Sequence, residues 1–151
     1  MTNYLKRTWE EIHYDSYLLA KSLSNKKFKG LIAISRGGLV PASIIAYELG
    51  CQLIETLSIA SYEDLTQGAI TILKEANVPN EGKDFLIVDD LVDSGNTAIA
   101  IKKLYPQSYF VCLYAKPIGK PYTDEFIMEF QQDTWIIFPW NLEPSLITQK
   151  N

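Results

Sequence analysis

The chain has 151 residues and a formal net charge of −4, and 47% of its residues are hydrophobic and 21% are charged. A chain of this length and composition is expected to form one globular domain, residues 1–151, with a sizeable core. The negative charge argues against a general nucleic-acid-binding protein, which needs lysines and arginines to neutralise phosphates. We therefore expect no nucleic-acid partner.

The sequence predicts a cytoplasmic protein, because its first residues lack the apolar core of a signal peptide and no apolar run reaches membrane-spanning length. It leaves open whether the protein touches a membrane surface. Cys51 and Cys112 each lie beside apolar residues. They predict buried free thiols rather than a disulfide framework or a metal site.

Helices and strands alternate in the first half of the chain. A capping-box pattern at Thr8 and Glu11 predicts the start of a helix. The inner face of this helix is predicted from the apolar residues Ile12, Tyr17, Leu18, Leu19 and Leu23. A buried strand over residues 31–34 is followed by a loop over 35–38 and by a helix from residue 39 to about Glu48, with Gly50 closing it. Residues 52–60 predict another strand.

The alternation continues in the second half. Residues 69–73 predict a strand, residues 85–88 a buried strand, residues 98–104 a helix and residues 109–114 a further strand. The aromatic-rich residues 126–130 and 134–140 are expected to be irregular or extended. Strands that alternate with helices predict an α/β fold with a parallel, doubly wound sheet.

Three carboxylates follow the buried strand over residues 85–88. Asp89 and Asp90 are expected at the tip of the strand, and Asp93 lies three positions further on. A turn of small polar residues then leads into a helix. This turn is formed by Ser94, Gly95, Asn96 and Thr97. Free backbone N–H groups at a helix start bind anions, so the turn can hold a phosphate while the paired carboxylates can hold a sugar diol or a hydrated Mg²⁺.

A second loop has the same strand–loop–helix context. Ser35, Arg36, Gly37 and Gly38 combine a fixed positive charge with two glycines that let the backbone approach a ligand closely. Alone, this loop could be a generic turn. Because ligands of open α/β sheets bind at the carboxyl ends of the strands, we expect both loops to face one ligand.

The run over residues 85–98 resembles the phosphoribosyl diphosphate motif of the type I phosphoribosyltransferases. Further segments are similar, in the same order, to members of this family that use guanine and xanthine. These segments are Trp9, residues 34–41, residues 61–62, residues 110–111, residues 115–121 and residues 132–136. The resemblance covers nearly the whole chain. It implies a parallel sheet flanked by helices, with a small C-terminal hood that binds the base.

The resemblance implies a purine-salvage reaction. Guanine or xanthine, and hypoxanthine more weakly, would attack C1′ of 5-phosphoribosyl 1-diphosphate (PRPP) through N9, giving GMP or XMP and pyrophosphate. Mg²⁺ is the implied cofactor, and Asp90 its implied ligand. The pyrophosphate loop is implied to be Ser35, Arg36 and Gly37, with a cis peptide at Ser35–Arg36. The 5′-phosphate is assigned to the turn from Ser94 to Thr97, and the ribose hydroxyls to Asp89.

The resemblance also assigns the purine contacts. Asp93 would lie near N7 and shuttle its proton, and Lys116 would donate to O6. Trp135 would stack on the ring, and the backbone of Ile136 would recognise the 2-substituent. Packing in the core or in an oligomer is the other use of these aromatic residues, and it is expected of Trp140 before Trp135.

A flexible lid is implied at Ser61 and Tyr62, because the reacting sugar must be shielded from water. The chain departs from its relatives at Gly68, where they commonly carry an arginine that contacts the pyrophosphate. Lys74 is one candidate to replace that arginine. The resemblance further implies a homotetramer.

Three alternatives stay open from the sequence. A hypoxanthine-preferring enzyme would share both phosphate loops. A nucleotide-sensing regulator that binds RNA would need a basic face, which a net charge of −4 does not support. A purely structural α/β protein would have no use for three acids after one strand.

Overall fold

The structure is a computed structural model that describes residues 2–61 and 70–141. It contains eight strands and three α-helices among these residues. In chain order they are β1 Asn3–Lys6, α1 Trp9–Ser22, β2 Gly30–Ser35, α2 Leu39–Leu49, β3 Ile54–Ser61, β4 Ile70–Lys74, β5 Phe85–Val92, α3 Asn96–Leu104, β6 Tyr109–Ala115, β7 Met128–Glu129 and β8 Thr134–Ile137. The predicted alternation of strands and helices is confirmed.

The main sheet has six strands in the order β4-β3-β2-β5-β6-β7. All neighbours in it are parallel except β3 and β4, which pair antiparallel at one edge. The predicted parallel sheet thus carries one antiparallel edge strand, which is common in doubly wound folds. The strand order reverses between β2 and β5, because the chain moves outward from β2 to β3 and later from β5 to β6 in the opposite direction.

Two hydrophobic clusters cover the two faces of this sheet. Alternate residues of one strand point to opposite faces, so Leu31 belongs to one cluster and Ile32 to the other. Helices α1 and α2 bury Leu19 and Ile45 on the first face. Helix α3 buries Ile101 on the second. The helices therefore flank the sheet on both sides, as predicted.

Local signals set the helix ends. The Thr8 hydroxyl accepts a hydrogen bond from the Glu11 N–H at 3.1 Å, which confirms the predicted N-cap of α1. Gly50 closes α2 in the left-handed region, with φ 66°. The predicted inner face of α1 is wrong at two positions. Tyr17 is exposed and Leu18 half-buried, whereas Asp15 and Ser16 are buried.

Among the described residues, a second sheet of two strands is not hydrogen-bonded to the main sheet. Strands β1 and β8 pair in parallel, with Tyr4 opposite Trp135 and Leu5 opposite Ile136. We call this two-stranded sheet the hood. The aromatic tail is therefore extended where it forms β8, as expected, while strand β1 was not predicted.

The cysteines differ from each other. Both are free, as predicted, and Cys112 is buried in β6, but Cys51 is only half-buried because it follows the exposed end of α2. Across the described residues, no helix combines the length and the apolar character that a bilayer span requires.

Candidate active site

The two predicted anion loops lie side by side, because β2 and β5 are neighbouring parallel strands and their carboxyl ends meet at one edge. The peptide bond Ser35–Arg36 is cis, as expected. A Cβ added to Gly37 would lie 2.3 Å from Asp90 Oδ2, and one added to Gly38 would lie 2.4 Å from the Val88 carbonyl oxygen. Only glycine permits this close approach, so the loop after β2 lies against the Asp90 carboxylate and the backbone of β5.

The side chains of this loop face in different directions. Ser35 Oγ donates to Ser58 Oγ at 2.9 Å, which ties the loop to β3. Arg36 is exposed. Its guanidinium is therefore available to an anionic ligand at the edge of the sheet.

Asp89 and Asp90 lie inside β5 and not at its tip, which corrects the predicted position. Strand β6 continues to pair with β5 as far as Ala115, opposite Val92, whereas the pairing of β2 with β5 ends at Val88. The two carboxylates thus belong to a strand that is paired on one side and open on the other. Pairing with β6 fixes the backbone of both aspartates. Within the described part of the chain, the edge of β5 that faces the loop after β2 stays unpaired at these two residues.

The paired carboxylates are electrostatically unfavourable when no cation is near. Burial raises the pKa of Asp89 well above its usual value, and the neighbouring charge of Asp90 raises it further. Burial also raises the pKa of Asp90. The Asp90 N–H donates to Asp89 Oδ1 at 2.9 Å, which fixes the Asp89 side chain.

This donor set fits Mg²⁺. Both groups are hard oxygen ligands, and Mg²⁺ usually binds to one or two carboxylates and completes its shell with substrate phosphates and water. Within the described residues, no three acidic, histidine or cysteine side chains are close enough to hold a metal ion by themselves. A magnesium ion here would therefore need oxygen ligands from a bound substrate.

The turn over residues 94–97, named the phosphate turn after its predicted role, leads into a helix as expected. Helix α3 begins at Asn96, two residues earlier than predicted, and its first intrahelical bond runs from the Ile99 N–H to the Gly95 carbonyl at 2.9 Å. Gly95 has φ 91°, which favours glycine. A small pocket of about 90 Å³ is lined by Asp89, by residues 91–98 and by Phe110. The N–H groups before Ile99 have no partners within the helix, and the Asn96 N–H donates to the Ser94 hydroxyl oxygen at 3.4 Å.

A larger surface pocket of about 430 Å³ lies across the outer side of α3, between Lys102, Lys103 and Tyr122. None of the three predicted carboxylates lines it. The smaller pocket, in contrast, is lined by two of these carboxylates, Asp89 and Asp93, and by the turn over residues 94–97.

Asp93 forms a second centre beside the phosphate turn. Its Oδ2 accepts from Lys116 Nζ at 2.9 Å, and its Oδ1 accepts from Gln132 Nε2 at 2.7 Å. The Lys116 side chain is only 5% exposed, whereas that of Asp93 is 51% exposed. The structure thus brings together the predicted base-binding residues Asp93 and Lys116. Gln132 was not assigned a role from the sequence, and its place within the matching segment 132–136 was the only signal that could have found it.

The hood supplies the remaining predicted contacts. Trp135 and Ile136 both lie on β8. Trp135 is 54% exposed, whereas Ile136 is buried in the core. Trp140 instead stacks on Phe138, with ring centroids 4.7 Å apart, as its predicted packing role requires. The exposed indole of Trp135 is available to a flat ring, while that of Trp140 packs against Phe138.

The lid prediction is only partly covered by the structure. Ser61 ends β3, while Tyr62 and Gly68 lie outside the described residues. Lys74 Nζ donates to the Thr56 carbonyl at 3.0 Å and to the Glu75 carbonyl at 3.4 Å. These contacts do not support its proposed replacement of the missing arginine.

The geometry of the site is that of an α/β protein that binds a phosphorylated ligand. A cup of backbone N–H groups, a carboxylate pair and a glycine loop meet where the strand order reverses, which is where doubly wound α/β proteins bind phosphorylated ligands. The family model for the phosphoribosyl transferase domain matches residues 6–145. The chain belongs to this family.

Individual relatives agree with this assignment. The chain is 48% identical over 149 residues to the xanthine-guanine phosphoribosyltransferase of Gluconobacter oxydans, covering 96% of this chain and 89% of that protein. It is also 48% identical over 149 residues to the enzyme of the same name from Desulfotalea psychrophila, covering 95% of this chain and 92% of that protein. Among solved structures, the purine phosphoribosyltransferase of Pyrococcus horikoshii has a TM-score of 0.80 at 25% identity, and the match covers 94% of this chain and 96% of that one.

Proposed function

We propose that this protein is a purine-salvage enzyme that transfers the phosphoribosyl group of PRPP to N9 of guanine or xanthine, and more weakly of hypoxanthine. The products are GMP or XMP and pyrophosphate. Relatives that are 44% to 48% identical carry the name xanthine-guanine phosphoribosyltransferase. The observation that carries the proposal is the Asp93–Lys116 pair, which lies directly beside the phosphate turn.

The sugar phosphate occupies the edge between β2 and β5. The 5′-phosphate binds in the cup formed by residues 94–97, where backbone N–H groups and the Ser94 and Thr97 hydroxyls donate to it. Ser35, Arg36 and Gly37 hold the pyrophosphate. Asp89 orients the ribose hydroxyls, and Asp90 would hold a magnesium ion. Mg²⁺, when bound, neutralises charge that develops on the leaving pyrophosphate.

The purine lies between Asp93 and the hood. Lys116 carries three donor protons, so its ammonium can serve O6 while it keeps its contact with Asp93. Trp135 stacks on the ring, and the backbone of Ile136 recognises the group at position 2. As N9 attacks C1′ and the C1′–O bond to pyrophosphate breaks, Asp93 accepts the proton that leaves N7 and then releases it to solvent. Ser61 and Tyr62 close over the sugar and exclude water from this step.

A parallel activity assay tests this proposal. PRPP and Mg²⁺ are offered with guanine, xanthine or hypoxanthine, and the change in absorbance gives the turnover of each base. Faster turnover of guanine and xanthine than of hypoxanthine is expected, because a site built to recognise a 2-substituent leaves polar groups unpaired when it is missing. Hypoxanthine as the best substrate would overturn the base assignment but keep the reaction. Tight nucleotide binding without turnover would instead favour a regulator.

The assembly and location are also proposals. We propose a homotetramer in the cytoplasm, where the phosphorylated substrates are available. Large exposed side chains on α1 and α2, among them Tyr14 and Tyr47, support an oligomer because they would otherwise face water. Size-exclusion chromatography with light scattering measures the assembly, and a monomer at all concentrations would contradict it.

A further inference from the structure

We infer that Gln132 is a positioning residue that sets the orientation of the Asp93 carboxylate for the purine. The inference rests on the proposed function, because it assigns Gln132 a part in that reaction. It concerns a side chain that touches Asp93 and not the reacting atoms themselves. The observations that carry it are three hydrogen bonds that meet at the Gln132 amide and the Asp93 carboxylate.

The orientation of the Gln132 amide is determined by its partners. Gln132 Oε1 accepts from the Ile118 N–H at 3.0 Å, and a backbone N–H can only be matched by an acceptor. The amide nitrogen must then point the other way, where it lies 2.7 Å from Asp93 Oδ1. Gln132 is therefore preset to donate to Asp93.

Lys116 alone could not fix this carboxylate. Its ammonium is a compact charge with three rotatable donors, so it attracts Asp93 Oδ2 without selecting the plane of the carboxylate. The Asp93 side chain is 51% exposed, and solvent would otherwise allow it several rotamers. A second donor on the other oxygen defines the plane. Two of the roughly four acceptor positions of the carboxylate are then occupied, and the others remain for a ligand.

Gln132 also connects three separate segments of the site. It lies two residues before β8, which carries Trp135, and it contacts the segment after β6 through Ile118. Asp93 lies in the turn after β5. A single side chain thus relates the acid near N7 to the ring that stacks on the base, and this relation is lost if Gln132 is replaced.

Replacement of Gln132 tests the inference. Gln132→Met keeps the length of the side chain and removes both hydrogen bonds, whereas Gln132→Glu keeps the acceptor for Ile118 and places a carboxylate against Asp93. We expect Gln132→Met to lower kcat/KM for guanine by about 10- to 100-fold, which corresponds to one hydrogen bond to a charged group. Gln132→Glu should lose more, because like charges then face each other. KM for PRPP should change by less than about twofold in both variants.

The neighbouring residue gives a matched control. Gln131 has the same side chain and is exposed. Gln131→Met and Gln131→Glu should leave kcat/KM for guanine within about twofold of the unchanged enzyme. Equal losses at both positions would show that the effect is a general disturbance of the hood, and would overturn the inference.

A double-mutant cycle separates positioning from simple loosening. Asp93→Ala removes the group that Gln132 positions, so adding Gln132→Met to this variant should cost less than about twofold further in kcat/KM. If the second replacement costs as much as it does alone, Gln132 acts independently of Asp93 and the inference fails. A Gln132→Glu variant with unchanged kcat/KM would also overturn it.

Crystal structures of the unchanged protein and of Gln132→Met provide a readout that needs no turnover. We expect the Asp93 carboxylate to keep its contact with residue 132 in the first and to adopt another rotamer in the second. If the unchanged protein turns over no purine, the proposed function fails, while a changed rotamer in the variant still supports the positioning of Asp93. An unchanged rotamer would overturn the inference whether or not the protein is active.

Discussion

Two aspartates in this molecule are held in similar ways but differ in exposure. Asp15 Oδ2 accepts from Arg7 Nη2 at 2.6 Å and from the Tyr114 hydroxyl at 2.5 Å, and its side chain is 5% exposed. Asp93 likewise pairs with a cation and a neutral donor, yet half of its side chain faces solvent. The first network is largely buried, with the Arg7 side chain only 13% exposed. The second leaves acceptor positions open, and this difference separates a structural carboxylate from one that can meet a ligand.

The two networks hold opposite ends of the same strand. The Arg7 N–H donates to the Ile137 carbonyl at the end of β8, at 2.9 Å, and the Arg7 guanidinium lies over the rings of Tyr114 and Phe130. Gln132 connects the start of β8 to Asp93. The hood is thus fixed to the main sheet at one end by buried contacts and at the other by contacts inside the active site. Changes at the first end should affect stability, and changes at the second should affect catalysis.

The largest expected effect is on catalysis at the open network. Asp93→Asn removes the group that exchanges a proton with N7, and general acid–base residues contribute about 10²- to 10⁴-fold. We expect kcat for guanine to fall by that factor. Asparagine has the same shape but leaves the buried Lys116 ammonium without its counter-charge, so the thermal midpoint should also fall, though less than in Arg7→Met because the Asp93 side chain is half exposed. Retained turnover in steady-state assays would contradict the assigned role of Asp93.

The next effect is on stability at the closed network. Arg7→Met leaves Asp15 buried without its cation, and removal of one partner of a buried ion pair costs about 3–5 kcal/mol. Urea denaturation should show this loss in the free energy of unfolding.

Asp15→Asn in the Arg7→Met background provides the control, since it removes the uncompensated charge. It should recover part of the lost stability. If Arg7→Met is as stable as the unchanged protein, the Asp15 network does not hold the hood as described.

A smaller effect distinguishes the two indoles near the hood. Trp135→Ala removes an exposed ring that is free to stack on the purine, and stacking of a base on an aromatic side chain contributes about 1–3 kcal/mol. KM for guanine should rise by the corresponding factor of about 5 to 150, with little change in KM for PRPP. Trp140→Phe serves as the control, because that ring packs on Phe138. It should alter the thermal midpoint and leave KM for guanine unchanged.

The sequence predicts a feature when the residues that determine it lie close together in the chain. Both phosphate loops were predictable, because a buried strand, a turn of small residues and a helix start lie within fifteen positions of each other. Strand β1 was not, since its four residues are mostly exposed and its partner β8 lies at the other end of the chain. The position of Asp89 and Asp90 inside β5 was also missed, because the extent of pairing depends on β6 and not on β5 alone.

The networks show the same limit. The Gln132–Asp93 contact joins residues 39 positions apart, and the Tyr114–Asp15 contact joins residues 99 positions apart. The apolar pattern predicted Tyr17 and Leu18 on the inner face of α1, but Asp15 is buried there instead. A buried carboxylate is stable only when its partners are present. Those partners come from β6 and from the residue after β1, so no pattern within α1 could have indicated them.

The smallest expected effect is a difference in the labelling rates of the two cysteines. The sequence analysis predicted both to be buried, but only Cys112 is. Burial raises the pKa of Cys112 to about 12, so at pH 8 its thiol stays protonated and protected in the folded protein. Burial also raises the pKa of Cys51, but its side chain is partly accessible. Iodoacetamide at pH 8 should therefore add one label slowly to the native chain, at Cys51, and two labels in urea. Mass spectrometry of the tryptic peptides assigns the label, and rapid native labelling of Cys112 would show that β6 opens readily beneath the carboxylates of β5.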